Sequence, residues 1–183
     1  MAALGTKWGY LAGFIFPYWA LWCYYLPARW SGKAGVAQLL QAPKSGALPW
    51  LAALGPALVL GALSWRRLAR QNWRVLAASA AIGAVNGAGE ELLWRGLFLQ
   101  GFGEPYTWAA WALTGVAFPL WHLAFLTIEP SPMGNVGFVA SAAVVGVLWG
   151  WVARHTASLQ APIAGHVALN FVSLIGARYF TRA

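Results

Sequence analysis

The chain has 183 residues, 60% hydrophobic and only 9% charged, with 12 Lys+Arg against 4 Asp+Glu and a net charge of +8. A soluble domain carries about 25% charged residues, so this chain lacks the polar coat of a water-facing surface; a soluble helical protein would need amphipathic helices, not helices that are apolar all round. Cys23 is the sole cysteine, which excludes an internal disulfide, and the positive balance reads as juxtamembrane charge facing anionic lipid, with no nucleic-acid partner.

Apolar runs approach the ~20 residues that cross a ~30 Å hydrocarbon core. In chain order they cover 8–26 (WGYLAGFIFPYWALWCYYL), 47–64 (ALPWLAALGPALVLGALS), 75–100, 106–127, 136–153 and 160–178. The expected fold is therefore all-α, a polytopic transmembrane helix bundle of about six spans forming one domain over 1–183. The pieces PARWSGKAG, WRRLARQNWR, GFGEP, EPSPMGN and RHTASLQ read as the connections between spans. Lys7 precedes the first run and no small-residue cleavage site ends it, which predicts an anchor and not a removed signal peptide.

Basic residues orient the spans. With the N-terminus inside, Lys7, Arg66, Arg67, Arg70, Arg74, Arg178 and Arg182 are cytoplasmic, against Arg29, Lys33, Lys44 and Arg154 outside. Both termini are expected in the cytoplasm. Trp8, Trp50, Trp65, Trp73 and Trp108 fall near span ends, where indole anchors at the interface. Gly83-xxx-Gly87 and Gly146-xxx-Gly150 permit close helix packing and carry no functional weight alone.

The third span reads GAGEELLWRGLFLQG and holds three charges. A charge at mid-bilayer costs about 2.5–3.5 kcal/mol on insertion scales. Glu91 and Arg95 are one helical turn apart, so they can pair and offset much of that cost. Glu90 points about 100° away, on the face of Asn86 and Trp94, and needs a proton or partners from other helices. His122 follows Pro119 in AFPLWHLAF; the proline cannot donate to the carbonyl of Gly115. His166 and Asn170 share a face in APIAGHVALNF, and Ser173 continues it. A lone intramembrane histidine is more often a satisfied interior residue than a catalytic one, and His155 in RHTASLQ reads as solvated or facing headgroups. Together, three spans supply a carboxylate, two imidazoles and an amide at similar depth. Polar groups in lipid face the bundle interior, so they should converge on one cavity. Glu90 can take a proton from water that His122 helps to hold, and His166 with Asn170 can donate to an oxyanion.

EELLWR at 90–95, FPLWH at 118–122 and HVALN at 166–170 match EExxxR, FxxxH and HxxxN motifs in that order on separate spans. The stretch over about 75–175 resembles the CPBP family. That family includes CAAX prenyl proteases of the Ras-converting-enzyme type, bacteriocin-processing and immunity-associated proteins, and the glutamic-type sorting proteases called myxosortases. The resemblance implies an intramembrane endopeptidase acting on a membrane-anchored protein or peptide. It implies that Glu90 activates water with His122, that His166 and Asn170 form the oxyanion hole, and that Glu91 and Arg95 support them. With two spans before the motif core and little after it, the chain looks like a small bacterial member, of the inner membrane. Zinc on His166, His122 and Glu90 is the mechanistic rival; the absence of HExxH and the Arg95 guanidinium nearby favour a reaction without a cofactor. A non-enzymatic reading, as a proton-linked transporter or an immunity scaffold, would use the same Glu and His groups as a proton relay, but no internal repeat supports it. Substrate identity and oligomeric state are not written in the sequence.

Overall fold

A computed structural model describes residues 11–43, 46–101, 107–127, 130–131 and 133–176. Among these, six helices form a bundle. Helix α1 covers 11–39, with π-helical turns at Leu11–Ile15 and Tyr18–Tyr25 leading into an α-helix at Leu26–Leu39. Helix α2 is Ala47–Leu68. Helix α3 covers 73–100, α-helical over Trp73–Glu91 and π-helical over Leu92–Gln100. Helices α4, α5 and α6 are Thr107–Leu126, Asn135–Thr156 and Gln160–Gly176.

Two features depart from the sequence expectation. PARWSGKAG, expected as a connection, is helical. Pro27 sits at the junction where the π-helical Tyr18–Tyr25 segment passes into the Leu26–Leu39 α-helix and the hydrogen-bond pattern changes. The one break is a kink at Gly32 (φ 67°, ψ 170°), a backbone state open to a residue without Cβ. The third span also changes winding immediately after its paired glutamates, and such π segments recur at functional sites. Lys7, Lys44, Arg178 and Arg182 of the charge count lie outside the described residues, as does part of both GFGEP and EPSPMGN. His155 stands in the last turn of α5, exposed and stacked on Trp151 with ring centroids 5.2 Å apart.

The protein is an integral membrane protein. Ala47–Leu68, Trp108–Leu126 and Asn135–Thr156 are long and apolar enough to cross a bilayer, and the apolar helix Gln160–Ile175 is shorter. Leu58, Leu63, Val116, Val136 and Val144 project outward in the exposed state. In hydrocarbon such side chains meet a matching solvent, so the drive for helix association must come from close packing.

Glycine supplies that packing. Helix α6 runs along both α2 and α3, and α4 along α5. A Cβ at Gly87 would lie 2.8 Å from the backbone nitrogen of Val167, and one at Gly83 would lie 3.2 Å from Phe171 nitrogen. Gly165 meets α2 in the same way, at the Ala53 carbonyl. At one end of the bundle, Ser158 Oγ and Gln160 Nε2 donate to the carbonyls of Gln41 and Leu40, both at 2.6 Å. The α5–α6 turn is thereby tied to the end of α1. The α2–α3 turn, with Arg66, Arg67, Arg70 and Arg74, sits at the opposite end.

Candidate active site

The charged centre is built outward from Arg95. This side chain is fully buried. An unpaired charge there would be prohibitive, and three contacts compensate it. Nη1 donates to Glu91 Oε1 at 2.9 Å, Nη2 donates to the Gly146 carbonyl at 3.2 Å, and the guanidinium lies 4.2 Å from the centroid of the Phe118 ring. Gly146 permits this approach, since a Cβ there would sit 3.4 Å from Nη2 and 2.9 Å from the Phe118 ring. The expected Glu91–Arg95 pair is thus present, and both side chains lie behind the site and not in its opening.

Glu91 does more than neutralise arginine. Its Oε1 also contacts His166 Nδ1 at 2.8 Å. A carboxylate held by a guanidinium can only accept, so Nδ1 carries a proton. The other ring nitrogen, Nε2, faces Glu90 Oε2 at 3.4 Å. Trp149 stacks on the same imidazole, ring centroids 4.6 Å apart and planes 30° apart, while its own Nε1 donates to the Ala53 carbonyl at 3.1 Å. His166 is therefore held on three sides. A lone pair on Nε2 would repel the Glu90 carboxylate, so a proton or a water belongs between them.

Glu90 takes its second support from α1. Tyr18 donates its hydroxyl proton to Glu90 Oε1 at 3.2 Å and accepts from Trp94 Nε1 at 3.4 Å. One turn earlier on α3, Asn86 Oδ1 accepts from Trp19 Nε1 at 2.8 Å. Adjacent aromatic residues of α1 thus grip two residues of α3 that are four apart, the spacing that shares a helix face.

His122 approaches from α4. Its Nδ1 lies 2.8 Å from the Phe118 carbonyl, which can only accept, so Nε2 is the nitrogen left for proton exchange. Glu90, His122, Asn170 and Ser173 all line one cavity of about 230 Å³ bounded by α1, α3, α4, α5 and α6. Asn170 Nδ2 and Glu90 Oε2 have no hydrogen-bond partner among the described residues. Aromatic side chains, including Phe14, Trp121, Phe125 and Phe138, make up much of the remaining wall. The residues expected to converge do so: three open on the cavity and His166 lies against Glu90. The arrangement offers a carboxylate, an imidazole nitrogen and an amide donor around one partly open cavity with a largely apolar wall.

Residues 71–172 match the family model for type II CAAX prenyl endopeptidase, Rce1-like. The chain belongs to that family. Among curated proteins and solved structures there is no match to it. The Rce1-like assignment makes the protein a peptidase of the CAAX type. The matched stretch carries Glu90, Glu91, Arg95, His122, His166 and Asn170. Tyr18, Trp19 and Ala53 lie outside it, yet they hold Glu90, Asn86 and Trp149 in place.

Sequence reasoning set Trp94 on the face of Glu90 without a role for it, and missed Tyr18 and Trp149. Aromatic residues are abundant in this chain, and nothing in their spacing separates one that supports a carboxylate from one that faces lipid. Zinc would require Glu90, His122 and His166 together. Among the described residues no group of three or more His, Cys, Asp or Glu side chains is disposed to hold a metal ion.

Proposed function

We propose that the protein is a glutamic-type intramembrane endopeptidase that cuts a membrane-anchored protein or peptide near its anchor. Glu90 removes a proton from water that His122 helps to hold. The hydroxide oxygen attacks the scissile carbonyl, and the carbonyl oxygen gains the negative charge. His166, as an imidazolium with Nδ1–H held by Glu91, donates Nε2–H to that oxyanion together with Asn170 Nδ2, the interaction that contributes most in acyl transfer. The C–N bond then breaks, and Glu90 returns its proton to the leaving amine. No step uses a metal.

One observation carries this reading: Glu90, His122 and the unpartnered amide of Asn170 share a single cavity, with His166 against Glu90. Membrane residence of the substrate follows from the site's placement among apolar helices. An intact substrate helix hides its carbonyls in i→i+4 bonds, so the cut segment is extended, at a lipidated C-terminal tail or at the end of a transmembrane helix. The family supports a tail ending in a prenylated CAAX motif; release or re-anchoring of the remainder is the proposed outcome. The proposed setting is a bacterial inner membrane with both termini cytoplasmic, in keeping with the arginines of the α2–α3 turn.

The test presents purified protein with one CAAX-tailed peptide, either farnesylated in liposomes or unmodified in solution. Cleavage should occur in the tethered form and vanish in Glu90→Gln. Equal cleavage of both forms would refute selection by membrane residence, and cleavage by Glu90→Gln would refute the catalytic assignment.

A further inference from the structure

Asn86 lines the cavity one helical turn before Glu90. Its amide orientation is settled by chemistry. Trp19 Nε1 can only donate, and it lies 2.8 Å from Asn86 Oδ1. The oxygen is therefore occupied, and the two N–H groups of Nδ2 are left without a partner among the described residues. Asn86 is half-buried and Trp19 likewise, so the amide is neither solvated freely nor sealed in a core. A polar group in such surroundings costs free energy until something accepts from it.

An extended substrate has the complementary need. Each backbone carbonyl brought out of a helix into an apolar site wants a donor. The cavity wall offers few, because much of it is aromatic. Ser173 already gives its hydroxyl proton to the Leu169 carbonyl at 2.7 Å. Asn170 is committed to the oxyanion under the proposed mechanism. Asn86 is the remaining amide donor on the wall. It stands about 6 Å from Glu90 along α3 at 1.5 Å per residue. That distance is close to two residues of extended chain at ~3.3 Å each.

We propose that Asn86 binds the substrate: its Nδ2 donates to a backbone carbonyl two residues from the scissile bond, and Trp19 keeps that amide facing the cavity. Asn86 binds extended peptide backbone of any sequence, and Trp19 is its positioning residue. This rests on the endopeptidase reading. The competing role for the Trp19–Asn86 bond is a structural pin between α1 and α3, as polar pairs often are in membrane bundles.

The experiment measures kcat and KM on the farnesylated CAAX-tailed peptide in liposomes, with thermal stability of each variant. Asn86→Leu, which keeps bulk and removes the donor, should raise KM roughly 3- to 10-fold, the worth of one neutral hydrogen bond, with kcat little changed. Trp19→Phe should raise KM by less, and adding it to Asn86→Leu should raise KM no further. The substrate provides a second arm that needs only wild-type protein. Replacing single amides by esters, whose carbonyls accept more weakly, should raise KM at one position two residues from the cut, and Asn86→Leu protein should be insensitive to that ester. Glu90-dependent cleavage with an unchanged KM in Asn86→Leu, or no sensitive ester position in wild type, would overturn the inference alone. Absence of any Glu90-dependent cleavage would overturn the endopeptidase reading and this inference with it.

Discussion

Tyr18 reaches Glu90 across 72 positions of sequence, its hydroxyl donating to Oε1 at 3.2 Å. The ring is fixed independently by stacking on Trp121, centroids 4.5 Å apart. The phenol therefore leaves the carboxylate little rotational freedom and one oxygen, Oε2, to act.

Tyr18→Phe keeps the stacked ring and removes the hydroxyl, which donates to Glu90 and accepts from Trp94 Nε1. A hydrogen bond to a charged group is worth about 1.5–3 kcal/mol. If it orients Glu90 for proton transfer, kcat should fall roughly 10- to 100-fold while KM stays near wild type, and the melting temperature should drop modestly because Trp94 Nε1 loses its acceptor. Wild-type kcat in Tyr18→Phe would show that the contact is incidental.

The proposed catalytic set makes a graded expectation. Glu90→Gln and His122→Ala remove proton transfer and should leave no measurable cleavage. Asn170→Ala removes one of two oxyanion donors, a loss of about 10²–10³ in rate, so slow cleavage should survive in long incubations. His166→Ala should be worse than Asn170→Ala, because it also leaves Glu91 and Glu90 without the imidazole between them. Equal activity of His166→Ala and Asn170→Ala would argue against that double role.

How much of this was legible beforehand depended on range. The Glu91–Arg95 pair was readable because i,i+4 spacing settles it locally. The gathering of Glu90, His122 and Asn170 was readable because few polar groups survive in lipid unless they face inward. What failed to show was anything decided between helices by common residue types. Trp149 looks like every other tryptophan here, yet it braces His166. PARWSGKAG looked like a connection because it contains Pro, Ser and two Gly; in the fold, Pro27 starts a helical segment and Gly32 merely kinks it. That His166 sits between two carboxylates could not be read either, since the partners come from α3 and the histidine from α6.

Metal dependence gives a separate test. The proposed mechanism needs no zinc. Purified protein with full activity should contain well under one zinc per chain by elemental analysis and should tolerate chelators. One zinc per chain, lost in step with activity, would replace the glutamate mechanism with a metal one.

The Arg95–Glu91–His166 chain makes the sharpest prediction, because stability and activity should separate. Arg95→Ala strands the Glu91 carboxylate in a site with no exposure to solvent. Breaking a buried pair by removing one partner costs about 3–5 kcal/mol, so Arg95→Ala should melt markedly lower and express poorly. The double change Glu91→Gln with Arg95→Gln removes both charges and should recover much of that loss. A spacing argument alone would let activity return as well. The structure argues otherwise: Glu91 Oε1 also holds His166 Nδ1 at 2.8 Å, and a neutral amide is a weaker acceptor than a carboxylate. The doubly protonated His166 that donates from Nε2 then loses its carboxylate partner, and the double variant should stay at least tenfold below wild type in kcat despite its restored melting temperature. Return of both properties together would mean that Glu91 serves only to neutralise Arg95. A double variant no more stable than Arg95→Ala would mean that the two charges do not compensate each other.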